Sequence, residues 1–346
     1  SFAVLWPLLW AATTWAATPA VASAPAAPRW ERRVRGLMGT RFLVQARVSS
    51  DEQAAALDRA LERVDALERL WSPWIVGSDV QRINVAAGAA VVVQPATLAL
   101  IARSRADCLG TGGAFDPTFF ALDGLWDLRA RPFVPPTDAA IGARLPAVGC
   151  EGIAVDPATR SVTLLRPGAA LHLGGNAKGT ALDAVAALLR GAGLADFFVD
   201  GGGDVVVAGR GPNGAWRVGV ADGRSASGAV LARLTLDGGA VATSGDGARY
   251  AMHKGRRYHH ILDPRSGKPA MAVRQVTVVV PPAEHAGERA DALATALFVL
   301  GPRRGKQLLD RHPGVDALWI DASGAKHVNA GMAKRLRRSA PGAKGP

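Results

Sequence analysis

Little in this sequence offers the usual routes to nucleotide or metal chemistry. Among 346 residues there are only two cysteines, Cys108 and Cys150, and neither has a histidine close by. A cysteine–histidine zinc cluster and a histidine-primed cysteine nucleophile therefore both lack their parts. No P-loop is present, because Lys178 precedes Gly179 where the order Gly-Lys-Ser/Thr is needed, and the spaced dinucleotide fingerprint is missing too. There are no internal repeats, which excludes solenoids and propellers. The net charge is +12, yet no aromatic-interleaved basic patch or recognition helix accompanies it. Nucleic acid is thereby disfavoured as a partner, and attraction of a polyanionic small molecule is the simpler use of the charge. Five of the cations, Lys334, Arg335, Arg337, Arg338 and Lys344, stand in a stretch without an acid, and 331–346 reads as a disordered, solvated basic tail.

Long apolar runs are scarce as well. The opening SFAVLWPLLWAATTWAATPAVASAPAAP is apolar, but Pro7, Thr13 and Thr14 interrupt it too early for a membrane span. Ala20-Val21-Ala22 fits the small-x-small pattern of a cleavage site before Ser23, so residues 1–22 read as a signal peptide with a truncated start. The expected organisation is then a linker over 23–35, one domain over 36–330 and the tail, in a periplasmic protein with no stable span in its mature chain. In that oxidising compartment the two cysteines could pair or stay as buried thiols, and the sequence leaves both readings open.

What is present is apolar residue enough, 49% of the chain, to bury a large core as one big domain or two intimately packed ones. The chain is organised around 171–209, LHLGGNAKGTALDAVAALLRGAGLADFFVDGGGDVVVAG. Residues 171–173 predict a short strand broken by Gly174-Gly175. A helix opens near Lys178 and Gly179, with Leu182, Val185, Ala186 and Leu189 at helical spacing, and Gly191 and Gly193 stop it. A strand over 197–199 then enters Asp200-Gly201-Gly202-Gly203-Asp204. Two glycine turns, one beside a helix N-terminus, predict bare N–H groups suited to a phosphate, although ordinary tight turns have the same composition.

Before this stretch, Met38-Gly39-Thr40 leads into an alternating strand over 41–48. Ser50 with Gln53 caps a long helix whose Leu57, Leu61, Val64 and Leu67 share a face. A second helix covers roughly 97–109. Residues 79–84 read as a polar segment, 112–126 as too irregular for a helix, and 130–150 as a long loop before a hairpin of 153–155 with 162–165. From Trp216 onward strands dominate, the last over 316–321. A helix near 289–300 is closed by Gly301 and Pro302.

Three groups of residues can carry chemistry. Asp291 and Thr295 are four apart and share a helix face, a carboxylate and a hydroxyl that suit Mg²⁺, which keeps several waters. The plainer reading is an acid near a helix start and a threonine bonded to its own turn. Thr243-Ser244-Gly245-Asp246 puts hydroxyls and a carboxylate at a strand end, where a hydrated turn is the default. His259-His260 enters an apolar strand and must be hydrogen-bonded or used.

In order and wording, seven stretches resemble the motifs of the ApbE family of FAD:protein FMN transferases. They are GTRF after Met38, FDPT, LGGNAKG followed by Asp183, GGGD, TSGD, HHILDPRSG and ADALATALFVLG, and they cover about 36–329. The chain departs from the family at Asn176, where an aliphatic residue is usual, and at Gly247-Ala248, where an aromatic and a basic residue are common. The resemblance implies an α+β fold of two closely packed lobes, with mixed β-sheets, flanking helices and a flavin cleft between them. It implies Mg²⁺-dependent transfer of the FMN moiety of FAD onto a Thr or Ser hydroxyl of a partner, releasing AMP. The metal would sit on Asp291, Thr295 and the backbone carbonyl of Ala177. FAD, the substrate, would meet Met38, Gly39, Thr40, Asp116, Thr118, Lys178, Asp183, Gly202, Gly203, Ser244, Gly245, Asp246 and His260. His260 and Asp291 are the catalytic candidates, His260 orienting or deprotonating the acceptor hydroxyl, with a purely structural histidine as the rival. The implied acceptor is an exported FMN-binding protein or domain of a membrane redox complex. Two other functions suit the same residues: a Mg²⁺-dependent FAD pyrophosphatase with water as acceptor, and a non-catalytic periplasmic FAD carrier.

Overall fold

The computed structural model describes residues 27–225 and 228–338, so the signal-peptide reading of 1–22 and the end of the tail lie outside the described residues. The described chain opens on a hairpin. β1 (Arg29–Leu37) and β2 (Thr40–Val48) pair antiparallel along their whole length. Met38 and Gly39 form the two-residue turn with φ of 49° and 69°, the left-handed backbone that matches strand twist in a tight hairpin. A linker ending at residue 35 is thus corrected: 29–35 belong to the sheet, and Trp30 packs edge-on against Trp216 with centroids 5.6 Å apart.

α1 (Asp51–Trp71) starts at Ser50, whose Oγ accepts the Gln53 N–H, and buries Leu57, Leu61, Val64 and Leu67. The expected polar segment is helical, α2 (Asp79–Val85), because Ser78 caps it in the same way. β3 (Val91–Val92) precedes α3 (Pro95–Gly110), which has its proline where no N–H is needed. The irregular FDPT stretch winds into a 3₁₀ helix, Pro117–Leu122, with the Asp116 carboxylate accepting the Thr118 N–H. Within the expected 130–150 loop, Thr137 caps α4 (Asp138–Arg144). β4 (Ile153–Asp156) and β5 (Ser161–Leu164) make the predicted hairpin, and β3 adds to its edge. Residues 171–173 are not a strand; the Leu173 carbonyl instead accepts from Asn176 and Ala177 at the start of α5 (Ala177–Gly191).

Next come β6 (Phe197–Gly201) and β7 (Asp204–Ala208), then the hairpin of β8 (Trp216–Ala221) and β9 (Val230–Leu236), and β10 (Gly238–Gly245). Two small hairpins follow, β11 (Tyr250–His253) with β12 (Arg256–His259), and β13 (Leu262–Asp263) with β14 (Lys268–Pro269). β15 (Val273–Val280) leads to α6 (Ala286–Leu309), which kinks where Gly301 takes φ 69° and resumes at Pro302. The stop expected at Gly301 is real; a second helical segment follows it. β16 (Asp316–Asp321), β17 (Lys326–Val328) and α7 (Ala330–Arg338) end the described chain. α7 corrects the first half of the disordered tail: Met332 is fully buried and Leu336 packs beside it, so the basic residues ride on an amphipathic helix.

The α+β class holds. Eight strands form one sheet in the order β1-β2-β6-β7-β10-β15-β16-β17, and every ladder is antiparallel where mixed sheets are expected. Helices α1, α5 and α6 cover one face over a core that includes Val206, Val278 and Trp319. The β8–β9 hairpin and α7 cover the other over Val205, Val207, Val279 and Leu318. Burial on both faces explains why β7 and the end of β15 carry valine at successive positions, Val205–Val207 and Val278–Val280. A small separate cluster of Ala121, Leu122, Ala147 and Val148 lies beneath the 3₁₀ helix and α4 segment. Among the described residues no helix is long and apolar enough to cross a membrane.

Candidate active site

The site is built where α5 and α6 cross at their first turns. A Cβ on Gly179 would lie 2.2 Å from the Gly287 carbonyl oxygen, so the helices touch backbone to backbone there. Asp183 reaches across from α5 and accepts the N–H groups of Gly287 and Glu288, both at 2.8 Å, capping α6. Thr180 donates to Glu288 at 3.1 Å, and Arg103 of α3 grips the same carboxylate at 2.8 Å. Three helices are locked together by these contacts, and the lock sets Lys178 against Asp291.

The Lys178 ammonium lies 2.9 Å from Asp204 and 3.1 Å from Asp291. The Gly179 N–H also donates to Asp291, at 3.1 Å. Burial alone would lower the Lys178 pKa, but the two carboxylates outweigh it and raise it above the ordinary lysine value. Burial pushes Asp291 up, Lys178 pulls against that, and Asp204 adds to the rise. Two buried carboxylates share one ammonium, which leaves an excess negative charge that a low-dielectric setting makes unfavourable. A divalent cation would relieve it. Thr295 stands one turn further along α6, its hydroxyl 3.4 Å from Ser244 Oγ on β10. A Cβ on Gly175 would come 3.7 Å from that same hydroxyl. Asp291, Thr295 and the carbonyl of Ala177, the first residue of α5, are all hard oxygen donors, and this set fits Mg²⁺.

Beside this cluster lie two tight turns on neighbouring strands. Gly202 and Gly203 connect β6 to β7 with φ of 71° and 96°. A Cβ on Gly202 would lie 2.6 Å from Thr40 Oγ1, so the turn rests on the strand that begins after Met38-Gly39. The expectation of bare amides fails here. The Gly202 N–H goes to the Arg41 carbonyl and the Gly203 N–H to the Asp200 carboxylate, because a compact hairpin satisfies its own donors. The Met38 N–H is likewise taken, by Glu68 at 2.7 Å.

His260 lies on the same side, with Nδ1 3.3 Å from the Arg249 carbonyl. A carbonyl only accepts, so Nδ1 carries the proton and Nε2 keeps a lone pair. Burial lowers the His260 pKa to about 4, with the charges of Arg249 and Lys178 among the smaller contributions in that direction. His172 is a residue that sequence reasoning missed. Burial, Arg249 and Lys178 lower it to about 4 as well, and its Nδ1 accepts the Gly174 N–H at 3.0 Å. Asp204 was also missed as a site residue; a carboxylate opening the buried apolar strand after GGG was the available signal.

Several of the expected contact residues also hold the chain to itself. Asp116 accepts from Thr118 N–H and hydroxyl and from the Cys150 N–H, and Thr118 accepts from Gly149, so both brace their own loop. Asp246, next to Gly245 at the end of β10, is held by Arg224 in a two-pronged ion pair. Asn176 is fully buried and donates to Ser104 of α3, so that departure from the family pattern serves helix packing. Cys108 and Cys150 form a disulfide that ties the end of α3 to this loop, and among the described residues no cysteine is free.

Comparisons with known proteins agree with one another. The sequence model of the ApbE family matches residues 38–319. The chain is 33% identical over 329 residues to the FAD:protein FMN transferase of Treponema pallidum, covering 88% of each. It is 32% identical over 304 residues to one from Klebsiella pneumoniae, covering 88% of this chain and 92% of that one. Among solved structures it superposes on the ApbE protein of Thermotoga maritima with a TM-score of 0.78 and 30% identity, over 89% of this chain and 100% of the other. Against the apo form of the Pseudomonas stutzeri flavinyl transferase ApbE the TM-score is 0.77 at 27% identity, over 92% and 98%.

Proposed function

The chain belongs to the ApbE family, and from that premise we propose that it is an FAD:protein FMN transferase, moving the FMN moiety of FAD onto a Thr or Ser hydroxyl of a partner protein in a Mg²⁺-dependent reaction that releases AMP. The observation that carries this reading is the Lys178 ammonium held between Asp204 and Asp291 where two helix N-termini cross. It offers an anchored cation and an under-compensated carboxylate at one place, which is what a pyrophosphate with its counter-ion needs. Mg²⁺ would be held by Asp291, Thr295 and the Ala177 carbonyl, and when bound it supplies neutralisation of the charge that builds as the pyrophosphate breaks.

In the transfer, the acceptor oxygen forms a bond to the FMN-side phosphorus. The bond from that phosphorus to the bridging oxygen breaks, and AMP leaves with the electron pair. The acceptor proton passes to Nε2 of His260, which the Arg249 carbonyl orients through Nδ1 and which stays neutral down to about pH 4. Reactions of this class depend chiefly on alignment and charge, so a weak base in the right place suffices. The acceptor is an exported FMN-binding protein or domain of a membrane redox complex, and the site of action is the periplasm, a reading that the Cys108–Cys150 disulfide supports.

The test is co-expression with an exported FMN-binding domain bearing a reactive Thr, followed by mass spectrometry for added FMN. In parallel, AMP is followed with purified protein, FAD and Mg²⁺, with and without that domain. Added FMN and acceptor-dependent AMP are expected, both abolished by EDTA. AMP released equally without acceptor would make the protein a pyrophosphatase, and tight FAD binding with no AMP at all would make it a carrier.

A further inference from the structure

Beside the lock of α3, α5 and α6 lies a cavity of about 320 Å³, between the end of α3 and the first turns of α6. That volume is enough for a small organic ligand. Lys178, Asp204, Asp291 and His260 do not line it. Its apolar wall comes from Ala106 of α3 and from Ala292 and Leu293 of α6, and charged side chains line it as well.

Two of those charges are matched. Arg103 and Glu288 pair at 2.8 Å, and Glu288 also accepts from Thr180. Glu284, largely in solvent, lies beside His285. Two others lack a bonded partner of opposite sign. The half-buried Asp107 carboxylate has no hydrogen bond or ion pair among the described residues. Burial, with Glu288 adding, raises its pKa to about 7, and the fields of Arg103 and Arg289 pull against that rise. Arg289 donates to Nδ1 of His312 at 3.1 Å. A guanidinium only donates, so Nδ1 keeps a lone pair, the ring is neutral, and the charge of Arg289 stays uncompensated by it.

An unpaired carboxylate and an unpaired guanidinium in one partly desolvated cavity are both unfavourable. A metal ion or a simple amine would satisfy Asp107 but meet two guanidinium groups. A simple anion would satisfy Arg289 but meet Asp107 and Glu288. A molecule with an ammonium and a carboxylate on one small frame satisfies both through charge-assisted hydrogen bonds, which are the strong kind. The apolar wall then suits an aliphatic side chain on that frame.

We propose that this cavity is a binding site for a free aliphatic α-amino acid, its ammonium on Asp107 and its carboxylate on Arg289. An occupant bridges α3 to α6 and so braces the lock that sets Lys178 against Asp291.

The test is calorimetric titration of the purified protein with L-leucine, with 4-methylpentanoate, which lacks the ammonium, and with L-leucinamide, which lacks the carboxylate. One leucine per chain is expected, bound at least tenfold more tightly than either analogue, with a thermal midpoint that rises as leucine is added. In Asp107→Asn the affinity for leucine should fall to that of 4-methylpentanoate for wild type, and in Arg289→Gln to that of leucinamide. FAD affinity, read from flavin fluorescence, should stay within about twofold of wild type in both variants and in saturating leucine. No heat from leucine at concentrations up to about 10 mM overturns the proposal. So do equal affinities for leucine and its analogues, or leucine binding unchanged in both variants. Competition between leucine and FAD overturns it too, by placing the amino acid in the flavin site. None of these readouts requires flavin transfer, so the cavity and the transferase reading stand or fall separately.

Discussion

The two faces of the eight-stranded sheet are built from the same strands and differ in what they bury. On the face covered by α1, α5 and α6, charged groups lie within the core boundary: Lys178 with Asp204 and Asp291, and Glu288 with Arg103. On the face covered by the β8–β9 hairpin and α7, the interior is Val205, Val207, Leu234, Leu236, Leu318 and Met332, and an ion pair between Asp316 and Arg335 stands at its edge. Burying ions is unfavourable unless they are paired and hydrogen-bonded, and replacing such pairs with apolar residues is often neutral or stabilising. The second face shows that this sheet closes well with apolar packing alone. The Glu288–Arg103 pair locks helices together, but Lys178, Asp204 and Asp291 are set there for what they bind, and the comparison assigns chemistry to one side and stability to the other.

The sharpest way to break that division is Asp291→Asn, which keeps the shape and an acceptor for the Gly179 N–H while removing the charge. Lys178 retains Asp204, so the fold should persist with a thermal midpoint near that of wild type. Transfer should fall by about 10³-fold or more, on the order of 4 kcal/mol in the barrier. Activity within tenfold of wild type at saturating Mg²⁺ would show that the buried ions are structural after all.

A smaller loss, about 10²-fold, is expected for His260→Ala. The pH profile separates a base from a structural ring. The neutral imidazole is the active form, so wild-type transfer should hold as pH falls and decline only through about 4. The stability trend has its own sign. The folded pKa lies below the unfolded value, so between the ordinary histidine range and about 4 the unfolded chain binds a proton that the folded one does not. Stability is therefore lost as pH falls through that window. A variant that loses stability but keeps the wild-type acid limb of kcat would leave His260 a packing residue.

Much of this contrast is legible in the sequence. The apolar spacing of Leu182, Val185 and Leu189 gives α5, and the four-residue step from Asp291 to Thr295 puts both on one helix face. The boundaries of β16 match the expected strand at both ends. What was not legible has two causes. Short helices such as α2 and α4 are decided by single caps, Ser78 and Thr137, and offer too few residues for a period to appear. Polar residues of similar type also find different partners within the chain, and those partners lie far away in sequence. Asp116, Asp183 and Asp246 are expected ligand contacts, and their partners within the chain, a loop, a helix start and Arg224, could not be read from the residues around them. Asp204 looked like the end of a turn and meets Lys178.

The far face supplies the converse test through Met332. Its side chain is fully buried under the sheet, on a helix whose basic residues made it read as solvated tail. Truncation by Met332→Ala removes buried apolar atoms and leaves a cavity where α7 meets Val328 and the β8–β9 hairpin, which should lower stability by about 2–4 kcal/mol. Lys178 is held by Asp204 and Asp291, and Asp291 also by the Gly179 N–H, on the face of the sheet away from α7, so transfer per folded molecule should stay within about twofold of wild type. Urea unfolding gives the first quantity, and kcat measured well below the midpoint gives the second. A kcat that fell in step with stability would mean that the sheet transmits strain from one face to the other, and the two faces could no longer be treated as independent.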